Sequence, residues 1–375
     1  MPSSQACLNA RSLLEKIRPL KQEFELAFDR AVLSGKEDDV EKAKSLKQQL
    51  EAEMKALQET LAIVEAERLF DLKKQYEDQL DLLKSSGLVE TRKETDPSGV
   101  EKESYFITGI DEKEYPMPSY LTVLERLVEQ KELFETKADQ GFKKLVLVPF
   151  GMSLDLMIEK FKQFLLKYKQ AKPAFDIDVD KPLYTWSHYL GADQNSTLVY
   201  DPQQFNPTDN GGKTKAEILT QMETTDDAAA GYRILLLQGN YNSQGFRSIP
   251  KRERGLVEGT NIPRADIEAG NTAIEYLASQ ASNRLNPQSP YAGEYGMSPE
   301  EWIILFMQHL KETGEPLDNF LNEVDSATYL TGAYFTASDG VPDAYWSRGG
   351  RRANLSGSHP GDQDGNVGVR AAVRV

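Results

Sequence analysis

Cysteine and histidine are almost missing from this sequence: Cys7 stands alone, and His188, His309 and His359 are the only histidines among 375 residues. One cysteine excludes an intramolecular disulfide framework and a cysteine-rich zinc site, and it fits a reducing compartment. No His-x-x-x-His or Cys-x-x-Cys pair is present, so neither a metal nor any other cofactor is expected. Positive charge is also short, with 44 Lys and Arg against 59 Asp and Glu, a net charge of −15. Such a surface repels a phosphate backbone, and the basic stretch Lys251 to Arg254 is short and broken by Glu253. Nucleic acid is therefore not an expected partner. Long apolar runs are lacking too. Met1 to Leu20 is interrupted by Arg11, Glu15, Lys16 and Arg18, and nothing later approaches the roughly 20 apolar residues that span a bilayer. The simplest address is the cytoplasm, with no membrane span, although non-classical export would leave no trace in the sequence. The length suits two parts.

What is present begins with helix. Leu13, Ile17, Leu20, Phe24, Phe28 and Ala31 recur at spacings of three or four, one stripe of an α-helix. Pro19 either kinks this helix or marks a fresh start. Ser34 and Gly35 break the pattern, and Glu37 to Asp39 supply an acidic first turn for a second helix after a sharp reversal. Ala43, Leu46, Leu50, Met54, Leu57, Leu61 and Val64 then form a coiled-coil seam. Beyond Arg68 the spacing drifts through Leu72, Tyr76, Leu80 and Leu83, which should locally unwind a supercoil. If helix 2 runs to Ser85 it is about 75 Å long, and helix 1 is too short to cover it. The segment is either a hairpin folded on itself or an oligomerisation stalk. Residues 1–90 are assigned to this coiled-coil helical hairpin.

Residues 91–140 read as a linker and neck. Thr91 to Gly99 is polar and carries Pro97, Tyr105 to Ile110 suits a short strand, and Met117-Pro118-Ser119 opens an amphipathic helix carrying Leu121, Leu124, Leu127, Val128 and Phe134. Residues 141–375 form the larger domain. Leu145 to Val148 and Ile234 to Leu237 are buried-strand runs, Leu154 to Tyr168 and Ile267 to Ser279 have helical periodicity, and Ser298-Pro299-Glu300-Glu301 starts a helix over Trp302 to Leu310. Long Gly, Asn and Pro-rich segments between them indicate an irregular α+β fold and not a doubly wound sheet.

Catalytic signatures are fragmentary. Gly212-Lys213-Thr214 is half of a phosphate-binding loop, with Pro207 where the first glycine belongs and the nearest strand, Thr197 to Tyr200, too far back. His188 lies in an aromatic patch suited to a packed histidine, and His309 suits a helix boundary. Asp362, Asp364 and Asn366 imitate a calcium loop, but Val367 and Val373 stand where its glycine and glutamate belong, so a tight turn feeding a strand is the better reading. Glu300 and Glu301 occupy a helix first turn, where the dipole alone accounts for them. No intact catalytic motif remains, and binding is expected over catalysis.

The C-terminus is the most informative stretch. Val367, Val369, Ala371, Val373 and Val375 alternate with Gly368, Arg370, Ala372 and Arg374, the period of a strand with one buried face. The preceding residues 343–366 are rich in Tyr, Ser, Arg, Asn, Asp, His and Gly, with Trp346 and Leu355 as anchors, a mixture like that of a paratope.

Tyr329-Leu-Thr-Gly-Ala-Tyr-Phe335, the polar stretch with its Trp, and the ending Gly365-Asn-Val-Gly-Val-Arg-Ala-Ala-Val-Arg-Val375 resemble the C-terminus of variable proteins of diversity-generating retroelements. The resemblance covers the last 50 to 80 residues or so. It implies a C-type-lectin-like domain related to the formylglycine-generating sulfatase modifiers. In that family adenine-directed mutagenesis diversifies surface side chains while the closing strand stays fixed. The ligand-contacting face is then drawn from Asp343, Tyr345, Ser347, Arg348, Arg352, Asn354, Ser356, Ser358, His359, Asp362 and Asp364, with Trp346 as its aromatic anchor, and Gly368, Val369 and Arg370 match the fixed strand. The sulfatase-modifier activity does not carry over, because it needs active-site cysteines and only Cys7 is present. The calcium ligands of true C-type lectins find no match. The implied partner is a protein or other macromolecule, bound by a homo-oligomer held through the coiled coil. The alternatives are a structural coiled-coil adaptor with a globular cap, and an enzyme using His188 or the Gly212-Lys213-Thr214 loop.

Overall fold

The structure is a computed structural model that describes residues 5–95, 101–225, 227–240, 244–251, 257–258, 262–263, 267–319 and 326–375. Pro97 and Gly99 of the expected linker, and residues 252–254 of the basic stretch, lie outside these. The chain divides into two compact units, Met1–Leu72 with Leu124–Lys131, and Lys73–Val123 with Glu132–Val375.

The first unit is a helical pair. Helix α1 (Gln5–Ser34) carries Cys7 and continues through Pro19, and Gly35, in the left-handed region at φ 61°, makes the reversal into α2 (Glu37–Phe70). Ala27, Ala43 and Leu46 are buried near this reversal, with Leu20, Phe24 and Ala31 packed against them. Phe28, placed on the stripe by spacing, is instead exposed, because Ala27 takes the inward position. Met54 and Leu61 of the expected seam are also exposed. The second helix stops short of Ser85. Asp71 adopts a left-handed conformation (φ 47°, ψ 41°) and separates α2 from α3 (Leu72–Ser86), at the place where the heptad spacing drifts. With 34 residues in α2 and 30 in α1, the two helices are nearly matched, and the uncovered distal half inferred from a longer helix does not arise.

The second unit is mixed α and β. Thr91 onward is not a linker: β1 (Glu90–Thr95) pairs antiparallel with β2 (Glu101–Thr108), which pairs with β3 (Glu114–Pro116). The polar, charged side chains of β1 misled the sequence reading, since a strand exposed on both faces has no apolar alternation. The neck helix is two pieces, α4 (Tyr120–Glu129) and α5 (Lys131–Asp139). Then follow β4 (Phe142–Val148), α6 (Leu154–Ala171), β5 (Leu183–Thr185), β6 (Leu198–Tyr200), α7 (Lys215–Thr224), β7 (Arg233–Gln238), β8 (Val257–Glu258), β9 (Ile262–Pro263) and α8 (Ala273–Arg284). The chain continues through β10 (Glu294–Gly296), α9 (Pro299–Thr313), β11 (Ala327–Tyr329), β12 (Ala333–Phe335), β13 (Val341–Ser347), β14 (Arg352–Ser358), β15 (Val367–Val369) and β16 (Ala371–Arg374). Reciprocal capping boxes start α7 (Thr214, Glu217), α8 (Thr272, Glu275) and α9 (Ser298, Glu301). The α8 box places that helix start at Ala273, later than the Ile267 read from periodicity.

Two sheets frame the core. One runs β10-β16-β7-β4, the other β15-β11-β13-β14-β5. Helix α9 touches β4 of the first and β13 of the second. It is buried on all sides from Pro299 to Gln308, as expected of a helix apolar around its whole circumference. Phe161 of α6 meets Trp302 and Phe306 edge-on, with centroids 6.2 and 5.3 Å apart. The outer edge of β4 is closed by a helix: Leu145 and Leu147 donate backbone N–H groups to the Gln75 and Gln79 amide oxygens of α3, at 2.8 and 3.0 Å. Two glutamines thus satisfy donors that an open strand edge would offer to another chain.

The C-terminal alternation is not one strand. It divides at Arg370, β15 lying parallel to β11 in one sheet and β16 inserting between β10 and β7 in the other. Among the described residues, no helix is long and apolar enough to cross a membrane.

Candidate ligand-binding face

The stretch read as a polar loop is mostly a β-hairpin at the centre of the five-stranded sheet. Strands β13 and β14 pair in register from Val341↔Ser358 to Ser347↔Arg352. Residues 348–351 form its turn, held by the Gly350 N–H on the Ser347 hydroxyl (3.1 Å) and the Arg351 N–H on the Arg348 carbonyl (3.2 Å). The alternation of these two seven-residue strands is disguised in the sequence because their inner face uses Ala344, Ala353 and Gly357 beside the larger Trp346 and Leu355.

Paired residues share a face of a sheet, so the register sorts the candidates. Asp343, Tyr345 and Ser347 stand opposite Ser356, Asn354 and Arg352, with Ser358 at the end of the row. Seven of the sequence-predicted residues therefore line one polar face. Ala344, Trp346, Ala353 and Leu355 are buried on the other. There Trp346 packs on Phe306 and Phe175, and a Cβ added to Gly357 would collide with the Trp186 ring. Trp346 is 3% exposed and faces the core. Its assignment to the ligand-contacting face is corrected, since its strand position has the opposite parity.

Asp343 and Asn354 lie on the polar face but are only 6% and 3% exposed, so neither is the open contact that composition suggested. Both sit on inner strands of the sheet, with β11 and β5 flanking them. Asp343 accepts a hydrogen bond from the Ser358 hydroxyl at 2.7 Å. Burial pushes its carboxyl up to about 6, only partly opposed by that bond. The same burial, with the Asp343 charge nearby, raises the Tyr345 hydroxyl. Tyr345, Ser347, Arg352, Ser356 and Ser358 remain partly exposed. Tyr184 of β5 joins them beside Asn354, with the Arg352 guanidinium 5.3 Å from its ring centre. Sequence reasoning missed Tyr184, because parallel pairing brings it in from a distant segment.

The other candidates bracket this row. Arg348, at the turn, is exposed, and its Nε donates to Asn319 Oδ1 at 2.9 Å. His359, Asp362 and Asp364 are exposed in the segment that leaves the opposite end of the hairpin. His359 Nε2 lies 3.7 Å from Asp339 Oδ2, the Asp362 carbonyl accepts from the Tyr329 hydroxyl at 3.2 Å, and Asp364 Oδ1 accepts the Asn366 N–H at 2.8 Å. The last bond is the turn feeding β15. At about 3.4 Å per residue the row extends over roughly 20 Å.

Thr214 caps α7, and Lys213 donates to Gln221. His188 is exposed, its ring centre 4.2 Å from that of Trp186 and tilted 55° to it, and not the packed residue expected. His309 accepts the Phe246 N–H on Nδ1 at 2.9 Å. Among the described residues, no group of three His, Cys, Asp or Glu is arranged to hold a metal ion.

Glu300 and Glu301 are more than dipole partners. Both are buried, within a network drawn from six segments. Lys215 Nζ lies 2.7 Å from Asp193 and 2.9 Å from Glu300, all three side chains fully enclosed. Glu300 also accepts from Tyr200 (2.6 Å) and Ser298 (2.8 Å). Arg233 bridges Glu301 (2.9 Å) and Asp201 (3.1 Å), and Arg374 grips both Asp201 oxygens at 2.6 and 2.8 Å. Burial alone would raise Glu300, but Lys215 and the two hydroxyl and ammonium hydrogen bonds bring it below the usual carboxylate range. At Asp201 burial is likewise outweighed by Arg374 and Arg233, which lower it to about 2. This cluster ties β7, β16 and α9 together. No known protein family, characterised protein or solved structure matches the chain.

Proposed function

We propose that the polar face of the β13–β14 hairpin is a ligand-binding surface, and that the chain is a variable protein of a diversity-generating retroelement built on a C-type-lectin-like scaffold. The observation that carries this is the sorting by face. Seven of the residues whose composition suggested diversification fall on one side of the hairpin, and Ala344, Trp346, Ala353 and Leu355, which pack in the core, fall on the other. The partly exposed Tyr345, Ser347, Arg352, Ser356 and Ser358 can change without disturbing the core, which a diversified surface requires. Tyrosine and arginine supply contact area there, and serine supplies adaptable hydrogen bonding. The ligand is a protein or other macromolecule, and the first unit pairs as a coiled coil that joins copies of the chain in the cytoplasm, so that weak contacts gain avidity.

The test is the DNA around the coding sequence. A reverse transcriptase gene should lie nearby, together with a near-copy of the segment encoding residues 343–375 that differs mainly at adenines. Absence of both sinks the retroelement reading. Differences falling at Ala344, Ala353 and Leu355 as often as at Tyr345, Ser347 and Ser356 would sink the assignment of the face.

A further inference from the structure

A second recess lies at the turn end of the hairpin, on the side away from the polar face. It encloses about 610 Å³ between the end of α6, the segment after α9 and the hairpin turn, within the size range of ligand-binding clefts. Its floor is aromatic and already packed. Phe175 lies 5.4 Å from Trp346, Tyr168 meets Phe175 edge-on at 5.3 Å, and Trp346 rests on Phe306. Phe175 and Trp346 are buried to within 9% and 3%, so they back the recess, and the apolar surface open to a ligand is that of Tyr168, Ala174 and Pro316.

The rim is charged. Arg348 and Arg351 project from one four-residue turn, and Arg351 sits at a left-handed φ of 49°, with its carbonyl accepting the Asp178 N–H at 2.8 Å. The Arg348 guanidinium is positioned by the amide of Asn319, itself 5% exposed, through one bond to Nε. That bond leaves both terminal nitrogens directed elsewhere. Arg351 meets Asp176 only at 3.3 Å, with both side chains more than half exposed, an ion pair that an incoming carboxylate can replace at little cost. Lys172 adds a third cation, while Asp176 and Glu315 supply two carboxylates. The rim is therefore net positive on a chain whose total charge is −15.

We propose that this groove binds an acidic peptide segment of a partner protein, its carboxylates on Arg348 and Arg351 and an apolar side chain against Tyr168, Ala174 and Pro316. A net charge of −15 disfavours an acidic partner on the chain as a whole, and this rim offers such a partner two arginines. Arginine, tryptophan and tyrosine are the residue types that anchor protein interfaces. The mixed rim suits a peptide, whose backbone N–H groups can meet Asp176 and Glu315 while its carboxylates meet the arginines. This site lies on the opposite side of β13 from the polar row, as Trp346 and Tyr345 do, and shares with the candidates of that face only Arg348 at the turn.

Fluorescence anisotropy with the full chain provides the test, using two pools of labelled octapeptides: one alternating Asp and Glu with Phe, Trp and Leu, the other with Lys and Arg replacing the acids. The acidic pool should bind saturably and at least tenfold more tightly than the basic pool. R348A/R351A should weaken it at least tenfold with an unchanged circular dichroism spectrum. K73A/K143A, which removes an equal charge from α3 and β4, should change it less than twofold. Equal binding of both pools, or full retention of binding by R348A/R351A, would overturn the proposal. So would complete displacement of the peptides by free benzoate at matched concentration, which would assign the groove to small aromatic acids. None of these outcomes bears on the seven residues of the polar row.

Discussion

Lys215→Met removes the cation from a site where nothing else can replace it. The Lys215, Asp193 and Glu300 side chains have no exposed surface, so water cannot take over the charge. Methionine nearly matches the lysine stem in volume, which keeps the cavity contribution small. The loss is therefore that of stranding buried carboxylates, about 3–5 kcal/mol when one partner of a buried pair is deleted. For a folding unit of this size that corresponds to a fall in Tm of roughly 6–10 °C. The pH dependence identifies the cause. In the native chain Glu300 titrates below its usual range, so its contribution is present above the ordinary carboxylate pKa and lost as pH falls through the depressed value. Without Lys215, burial is opposed only by the remaining hydrogen bonds and Glu300 titrates higher, so the variant can shed its stranded charge by protonation. The stability gap between native and variant chains should consequently narrow from pH 7 to pH 5, and K215M/E300Q should recover part of the loss at pH 7. Urea unfolding followed by near-ultraviolet circular dichroism at several pH values measures all three quantities. A loss below about 1 kcal/mol at pH 7, or a gap constant across pH, would refute the reasoning.

Neighbouring positions on β14 should behave oppositely. Gly357→Ala forces a methyl group into the Trp186 ring and should cost about 2–3 kcal/mol, whereas Ser356→Ala on the polar face should stay within about 0.5 kcal/mol, both read by chemical denaturation. Asp343→Asn should stabilise the chain above pH 6. The raised carboxyl favours folding only while protonated, an advantage present below pH 4 and lost as pH rises through about 6. The gain should reach up to ~3 kcal/mol at pH 8 and vanish at pH 4, and equal stabilities at both would contradict it. Pro19→Ala restores an N–H inside α1 and should stabilise the helical pair by about 1–3 kcal/mol, seen as a later loss of ellipticity at 222 nm on heating.

The parts of the fold legible in the sequence were those specified locally. The reversal at Gly35, the capping of α9 by Ser298 and Glu301, and the apolar runs of β4 and β7 each follow from a few adjacent residues. The break at Asp71 was visible as a drift in spacing, but its left-handed geometry was not. What escaped depended on distant partners. Glu300 and Glu301 carry the signature of a helix start, and nothing near them reveals Lys215 or Arg233. Tyr184 gains its place on the polar face only through pairing with Asn354. In the hairpin, the alternation of Asp343, Tyr345 and Ser347 with Ala344 and Trp346 was present to be read. Small residues on the buried side disguised it as loop composition, and that is also why Trp346 was put on the wrong face.

The division of residues 367–374 between two sheets bears on the order of assembly. Strand β16 lies between β7 and β10, yet it is synthesised after both, so a nascent chain must hold the β4–β7 pair with an open edge until its distal segment arrives. The same segment locks β15 against β11. A reading-frame slip anywhere in the hairpin would therefore deprive both sheets of a strand and leave Asp318 and Asp201 without Arg370 and Arg374. Such a product would expose strand edges and buried acids together, the features that degradation machinery and aggregation act on. Substitutions confined to the polar face would pass the same filter, so completion of the two sheets acts as a quality check on whatever sequence precedes it.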